Sequence, residues 1–478
     1  MKWRWTLAAA ALLPLLAVAQ DSAQNPAAEL PEPVRAALEL RDVPADSVSV
    51  YVADVETGEV LVDWMADTPR NPASTLKLMT TLAALDILGP AHRWRTEVYA
   101  LGPIEDGRLD GDLLLKGGGD PFLVTERVWQ LTRDLRRRGL EFIDGDLLID
   151  DSYFDVGVYD PGAFDRQPLR AYNVAPNALL MNFKVLRYRF TPERETRTVR
   201  IDLDPPLGNV NIDNRLRLRS AACGGFQRGI AINANSAVDT MTFSGLFPDR
   251  CRSYSMARTA LSHNAYAYGL FSAMWRANGG RISGGYANVP TPPEVEPMLS
   301  FRSQPLGEAI ARVNKYSNNV MARQLLYTLS AEVLGAPGTE EGGREVIRQW
   351  LTDKGLPLDS LAMSNGAGLS RDARVSARDM AAMLAFAWRQ PYMPEYLASM
   401  ALSGLDGTLR DRLRRAELRG KAHLKTGSLD HVAAIAGYLQ SRTGRRYVVV
   451  ALHNHRDIHR GYGEEMQEAL MRWLYARR

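Results

Sequence analysis

The chain has 478 residues, 46% hydrophobic and 24% charged, ordinary proportions for a soluble globular protein and enough length for two sizeable cores. Its formal net charge of +3 argues neither for a nucleic-acid-binding surface nor for an acidic partner. Any partner has to be read from a site.

Lys2 and Arg4 precede an apolar stretch over residues 7–16, and Ala17-Val18-Ala19 then gives a small-x-small pattern before Gln20. This is the arrangement a signal peptidase reads, so residues 1–19 are expected to be a signal peptide. The stretch is short for a membrane span, and no later run of about 18 apolar residues follows. No cysteine at the cleavage point offers a lipid anchor. The mature chain is therefore expected in the periplasm, without a transmembrane segment. The two cysteines, Cys223 and Cys251, suit one disulfide in an oxidising compartment, with two buried thiols as the alternative. Without a C-x-x-C pair they point to neither a redox enzyme nor a zinc site.

Residues 20–34 read as a flexible leader. Two β-prone runs, 48–55 and 60–62, flank the polar turn Glu56-Thr57-Gly58-Glu59 as a hairpin. A helix is expected from near Ser74, with Leu78, Met79, Leu82 and Leu85 at helical spacing and Gly89-Pro90 as its stop. From 94 to 254 short β-prone segments dominate (112–115, 146–149, 186–190, 199–203), with one helix near 128–137. Helices return at 263–277, 306–313, 318–334, 343–354 and 377–389. Strands at 423–425, 433–439 and 447–453 precede a closing helix, 465–475, in which Met466, Leu470, Trp473 and Leu474 share a face. The expected architecture is mixed α/β. One domain is made from 20–93 and 255–478, and a β-rich domain, 94–254, is inserted into it. No repeat of 20–50 residues is present.

Three short segments carry the chemistry. In Pro72-Ala73-Ser74-Thr75-Leu76-Lys77, a serine and a lysine three apart share one helix face. A desolvated lysine can lose its proton and activate the hydroxyl, and a helix N-terminus offers N–H groups to an oxyanion. Alone, the pattern is far more often a capping serine beside a solvated lysine. In Ser317-Asn318-Asn319, between two helices, the hydroxyl can relay a proton between Lys77 and a leaving group, and the Asn319 amide can hold Lys77 or a substrate carbonyl. Alone, this is a turn or a cap. Lys425-Thr426-Gly427 ends a strand. The lysine and the hydroxyl suit a substrate carboxylate, and glycine admits a ligand backbone along the strand edge. Taken together, in this order and these contexts, the three are the set shared by class A β-lactamases and penicillin-binding proteins.

The chain resembles the D-alanyl-D-alanine carboxypeptidase/endopeptidase family of low-molecular-mass class C penicillin-binding proteins (peptidase family S13). The resemblance includes the three motifs, Gly117-Gly118-Gly119-Asp120-Pro121, Gly366-Ala367-Gly368-Leu369-Ser370-Arg371, the 402–409 segment and Lys425-Thr426-Gly427-Ser428-Leu429. It implies a penicillin-binding transpeptidase-like domain carrying a large insertion. Ser74 would be the acylated nucleophile, Lys77 its base, and Ser317 and Asn319 the relay and its positioning partner. Lys425 and Thr426 would recognise a carboxylate, and the N–H groups of Ser74 and Ser428 would form an oxyanion hole. Arg371 resembles a substrate-contacting arginine, and Asp150 or Asp151 a carboxylate for the free amine of a diaminopimelate side chain, Asp151 being preferred. Asn318 sits where many relatives carry Asp, and Asp430 where they can have a neutral polar residue. The implied partners are peptidoglycan peptides, with β-lactams as covalent inhibitors. No cofactor, metal or nucleic acid is implied, and a homodimer is left open.

His453, His455 and His459 with Asp457 form the densest ligand-type cluster, but the spacing fits no standard zinc pattern and a polar turn explains it. Two rival readings remain: a serine β-lactamase, which needs a further carboxylate base for deacylation, and a silent wall-binding scaffold on the same fold.

Overall fold

The computed structural model describes residues 28–235, 240–356 and 359–477. The expected signal peptide, 1–19, and most of the leader lie outside them. Within the described residues no helix is long and apolar enough to cross a membrane.

The centre is a six-stranded antiparallel sheet. Its order is Ala401–Leu402, Ala422–Leu429, Val432–Gln440, Arg446–Asn454, Val48–Asp54 and Val60–Trp64. Hydrogen bonding thus joins the chain's two ends. The strand Arg446–Asn454 is apolar at nearly every position because helices cover both faces. Val448, Val450 and Leu452 enter one hydrophobic cluster, and Tyr447, Val449 and Ala451 enter the other, as the two-residue side-chain period requires. On one face lie Glu32–Glu39 and Tyr462–Tyr475, which pack together. The opposite face carries Lys77–Leu88, Leu306–Lys315, Asn319–Leu334, Glu340–Asp353 and Ala377–Trp388.

A second lobe has its own core. A five-stranded sheet runs in the order Tyr286–Asn288, Leu147–Asp150, Asp112–Gly117, Arg95–Leu101 and Leu299–Arg302. Beyond it lie Leu186–Glu193, Thr198–Asp204, Asn211–Arg219, Ala231–Asn235, Thr240–Pro248 and Tyr254–Arg258, in two three-stranded sheets. Cys223 and Cys251 form a disulfide.

The return to the first domain expected at 255 comes later in the chain. Helix His263–Ala277 buries Tyr266, Leu270, Phe271 and Trp275 in the same cluster as Val98, Leu115 and Ile149, and Leu299–Arg302 closes the edge of the lobe's main sheet against Arg95–Leu101. The apolar side chains of these segments pack in the second lobe's cluster, so that lobe runs to about residue 302. It also holds two long helices, Thr125–Arg137 and His263–Ala277.

The lobes meet on helix Asn319–Leu334. Buried Gln324 accepts the Asn177 N–H (2.9 Å) and donates to the Asn177 carbonyl (2.9 Å), pairing backbone groups of one lobe with a side chain of the other.

Candidate active site

Ser74 lies in a single 3₁₀ turn, Ala73–Leu76, and the α-helix proper begins at Lys77. The helix start expected near Ser74 is therefore displaced by three residues. The turn is strained, with Ala73 at φ +45°, and it is over-determined by its surroundings. Asn71 Oδ1 accepts the Ala73 N–H (2.9 Å), and Asn71 Nδ2 donates to the Ser370 carbonyl (2.9 Å). The Asn71 N–H donates to Asn454 Oδ1 (2.8 Å). Two glycines let neighbouring chain close on this turn. A Cβ at Gly427 would stand 2.6 Å from the Pro72 carbonyl oxygen and 3.1 Å from the Ser74 nitrogen, and one at Gly368 (φ +71°) would overlap the Ala73 carbonyl oxygen.

Lys77 is completely buried. Its Nζ makes three contacts: Ser74 Oγ at 2.8 Å, Asn319 Oδ1 at 2.6 Å and the Ala367 carbonyl at 2.5 Å. Two of these are pure acceptors. A neutral amine that gives its two protons to Asn319 and Ala367 keeps its lone pair for the Ser74 hydroxyl. Burial drives the Lys77 pKa well below the usual lysine range, and the positive charges of Lys425 and Arg323 push it further down. Arg323, one helical turn beyond Asn319, is buried and donates to Tyr159 Oη (2.7 Å).

Lys425 is equally buried, and desolvation lowers its pKa to about 7. It donates to Ser317 Oγ (2.9 Å) and to the Thr426 carbonyl (2.7 Å). Ser317 thus sits against the third motif, and its hydroxyl makes no hydrogen bond to Lys77. Its backbone is left-handed (φ +57°), a conformation that a non-glycine residue holds only under constraint. Asn318 is spent as the N-cap of Asn319–Leu334, accepting the Met321 N–H (3.1 Å). Thr426 Oγ1 donates to Thr408 Oγ1 (2.8 Å). Among the described residues the strand's outer edge has no strand partner beyond Leu424, because only Leu424 and His423 pair with Ala401 and Leu402. Gly427 is buried on that edge and Ser428 is exposed. The arrangement can bind an extended peptide along residues 425–429 with its reacting carbonyl over Ser74.

Three contributors carry no motif. They are the Ala367 carbonyl, the Thr408 hydroxyl and the Arg323 charge. The first is a main-chain atom. Thr408 and Ala367 lie inside the 402–409 and 366–371 segments, where the sequence assigns them no role.

The peripheral residues are placed unequally. Arg371 is exposed at the mouth, its guanidinium 5.0 Å from the Phe164 ring centroid and 3.5 Å from Asp430. It lines a cavity of about 290 Å³ with Tyr159, Phe164, Asn365 and Arg323. Asp150 is buried as an anchor. Burial raises its pKa, but donors from Ser152 and Thr291 outweigh that and hold it below the usual carboxylate range. Both Asp151 oxygens accept from amides, Asn177 (2.6 Å) and Asn288 (2.8 Å), and neither bonds the Ser74 cluster. His453 bonds Ser47 Oγ (2.8 Å) and His459 meets the His431 ring edge-on. Among the described residues no three metal-binding side chains converge.

A hydroxyl beside a buried amine, set at an open strand edge and flanked by a second buried lysine, defines a serine hydrolase with the penicillin-binding-protein fold. The fold is matched by penicillin-binding protein 4 of Haemophilus influenzae, with TM-score 0.78 at 20% identity, covering 92% of this chain and 99% of that one. A predatory peptidoglycan endopeptidase of Bdellovibrio bacteriovorus matches at TM-score 0.55 and 15% identity, covering 89% and 92%. By sequence the chain is similar to the D-alanyl-D-alanine carboxypeptidase of Actinomadura, 29% identical over 431 residues, 87% of this chain and 79% of that protein.

The family model for D-Ala-D-Ala carboxypeptidase 3 (S13) matches residues 32–477, and the chain belongs to that family. It is accordingly a serine-type D-Ala-D-Ala carboxypeptidase, a hydrolase.

Proposed function

We propose that Ser74 is the acylated nucleophile of this carboxypeptidase and that neutral Lys77 takes its proton. The observation that carries this is the Lys77 amine, fully buried with two carbonyl-type acceptors fixing its N–H groups and Ser74 Oγ at 2.8 Å. The donor peptide lies along the 425–429 edge with its terminal carboxylate at Lys425, Thr426 and Ser317. Its scissile carbonyl faces the N–H groups of Ser74 and Ser428, which stabilise the developing oxyanion. Oγ attacks, the C–N bond breaks, and the proton held on Lys77 passes to the leaving nitrogen, directly or through Ser317. Water then cleaves the ester, and the same amine takes its proton.

The same chemistry serves a D-Ala cross-link as well as a terminal D-Ala, so peptidoglycan stem peptides and cross-links are the proposed substrates, with export to the periplasm as the matching location. The endopeptidase half agrees with the Bdellovibrio structure that shares the fold. A β-lactam presents a strained amide and a carboxylate to the same groups and would acylate Ser74. Among the described residues no carboxylate bonds Ser74 or Lys77, which favours slow release of the drug over β-lactamase turnover. A fluorescent penicillin should label the protein stably and Ser74→Ala should abolish labelling; an unlabelled protein, or rapid drug turnover, contradicts this reading. Mass analysis of digested peptidoglycan should show both lost terminal D-Ala and opened cross-links. Intact cross-links would refute the endopeptidase half.

A further inference from the structure

We propose that the hinge between the two lobes carries a second ligand site, a cavity in which Arg95 and Lys116 hold the free carboxylate of a wall peptide. The ligand class rests on the reading of this enzyme as one that acts on peptidoglycan peptides. Both segments of chain that pass between the lobes cross at this place. The Trp94 N–H donates to Ser303 Oγ (3.0 Å) and the Ser303 N–H to the Trp94 carbonyl (3.0 Å), while Arg93 donates to the Ser303 carbonyl (2.6 Å). Trp94 packs in the catalytic lobe's cluster with Leu306, and one residue further on Arg95–Leu101 pairs with Leu299–Arg302 in the second lobe. Tyr153 of the second lobe also donates its hydroxyl to Glu332 on helix Asn319–Leu334.

A cavity of about 530 Å³ opens at this crossing, lined by Arg93, Arg95, Glu97, Lys116, Tyr153 and Glu332 among others. Side-chain alternation along the strand buries Thr96 and Val98 and sets Arg95, Glu97 and Tyr99 on the other face. Lys116 stands opposite Glu97 in the strand register. Glu97 accepts the Tyr99 hydroxyl instead (2.8 Å), and no ion pair joins it to Lys116. Among the described residues none of Arg93, Arg95 and Lys116 has a carboxylate partner. His92 also lines the cavity, and its Nε2 is buried without a hydrogen-bond partner, a polar atom that a ligand can satisfy.

Three cations without carboxylate partners call for an anion, and a guanidinium beside an ammonium suits a carboxylate, which the guanidinium can bind through two parallel hydrogen bonds. Glu97 and Glu332 each accept one tyrosine hydroxyl and keep further acceptor capacity. Their charges also disfavour a more highly charged anion such as phosphate. A peptide meets both demands. Its carboxylate lies on Arg95 and Lys116, and its amide or ammonium N–H groups lie on Glu97 and Glu332. The site is separate from the catalytic centre. Glu332 stands near the far end of the helix whose first residue is Asn319, about 20 Å away at a rise of about 1.5 Å per residue. Because both lobes line the cavity, a bound peptide ties them together at their hinge.

To test this, Ser74 is first acylated with benzylpenicillin, which fills the catalytic cleft. The tripeptide L-Ala-γ-D-Glu-L-Lys, which has no D-Ala-D-Ala bond, is then titrated calorimetrically beside its fully amidated form and inorganic phosphate. The carboxylate form should bind about tenfold more tightly than the amide at low salt, and Arg95→Gln with Lys116→Gln should shrink that difference below twofold. Saturating tripeptide should raise the unfolding midpoint of the wild-type protein and leave that of the double variant unchanged. Acylation of the double variant at the wild-type rate shows that it is folded. Equal affinity for acid and amide, a difference that survives in the double variant, or phosphate binding more tightly than the tripeptide overturns the hinge site in a protein that acylates normally. A wild-type protein that penicillin does not acylate overturns the Ser74 reading instead, and the dependence of tripeptide binding on Arg95 and Lys116 still decides the hinge site.

Discussion

Two lysines with no exposed surface, Lys77 and Lys425, occupy one small site, and their proposed tasks ask for opposite protonation states. Lys77 acts as a base and has to be neutral. Lys425 holds a carboxylate and has to be charged. Both are pushed toward the neutral form by burial, Lys425 to about 7. The consequence is a split pH dependence. As pH climbs through about 7, Lys425 loses its proton, so KM for a peptide with a free carboxylate should rise, while kcat should not fall, since deprotonation helps Lys77. Steady-state kinetics from pH 6 to 9 check this, and in Lys425→Arg the guanidinium stays charged, so the rise should vanish. A kcat that falls above pH 7 would contradict the assignment. The linkage to folding has a definite sign as well. Between about 7 and the ordinary 10.5 the unfolded chain holds a proton that native Lys425 has lost, so unfolding free energy should rise with pH across that window. Replacing the base itself, Lys77→Met, should lower the acylation rate by about 10² to 10⁴, the usual worth of a positioned base, measured by penicillin labelling kinetics.

At the scale of elements, the site is one strained turn pressed between a strand and a loop. The three motifs are legible because each places chemically distinctive side chains, and the strands and helices around them show through apolar periodicity. What periodicity cannot register is a single 3₁₀ turn: Ala73–Leu76 has the same composition as the helix it precedes, so the helix is read as starting at Ser74. Nor can it register a main-chain acceptor such as the Ala367 carbonyl, which exists as a ligand of Lys77 only once Gly368 lets residues 366–371 approach the turn. Gly368→Ala tests that approach. The added methyl would overlap the Ala73 carbonyl oxygen at a backbone φ of +71°, so the loop must retreat and take the Ala367 carbonyl with it. Stability should fall by about 2 kcal/mol, the range for strain at a special backbone conformation, and penicillin acylation should fall at least tenfold. Denaturant unfolding measures the first and labelling kinetics the second. Normal acylation in a destabilised variant would mean that Lys77 does not depend on that carbonyl.

For the whole molecule, the sheet that joins the two ends of the chain is what brings Ser74 and Lys425 together across some 350 residues of sequence. That closure is readable from apolar strands at both ends, but the extent of the second lobe is not. Helix His263–Ala277 is apolar on most of its surface, so nothing in its sequence says which of two cores it enters, and only the partners of Leu270 and Trp275 decide. Each lobe buries its own large cluster, and the contact between them on helix Asn319–Leu334 is smaller, the polar pair Gln324 and Asn177 with two small apolar clusters, Phe154 and Ala178 against Tyr327 and Ala331, and Val174 and Leu180 against Val320, which makes partly independent unfolding the expected behaviour. The disulfide offers a clean way to see it. Cys223 and Cys251 close a loop with sequence separation 28 inside the second lobe, and Cys251 packs in that lobe's cluster alone. By the chain-entropy estimate a loop of this size contributes about 3.6 kcal/mol. Replacing Cys223 and Cys251 together by serine should therefore lower the unfolding free energy of the second lobe by roughly that amount, seen as a lower midpoint in calorimetry, and leave the rate of Ser74 acylation by penicillin within twofold of wild type at 25 °C. A parallel loss of acylation would mean instead that the strand-rich lobe and the catalytic lobe fold as one cooperative unit, with the Gln324–Asn177 contact on helix Asn319–Leu334 carrying the coupling to Asn319 and Lys77.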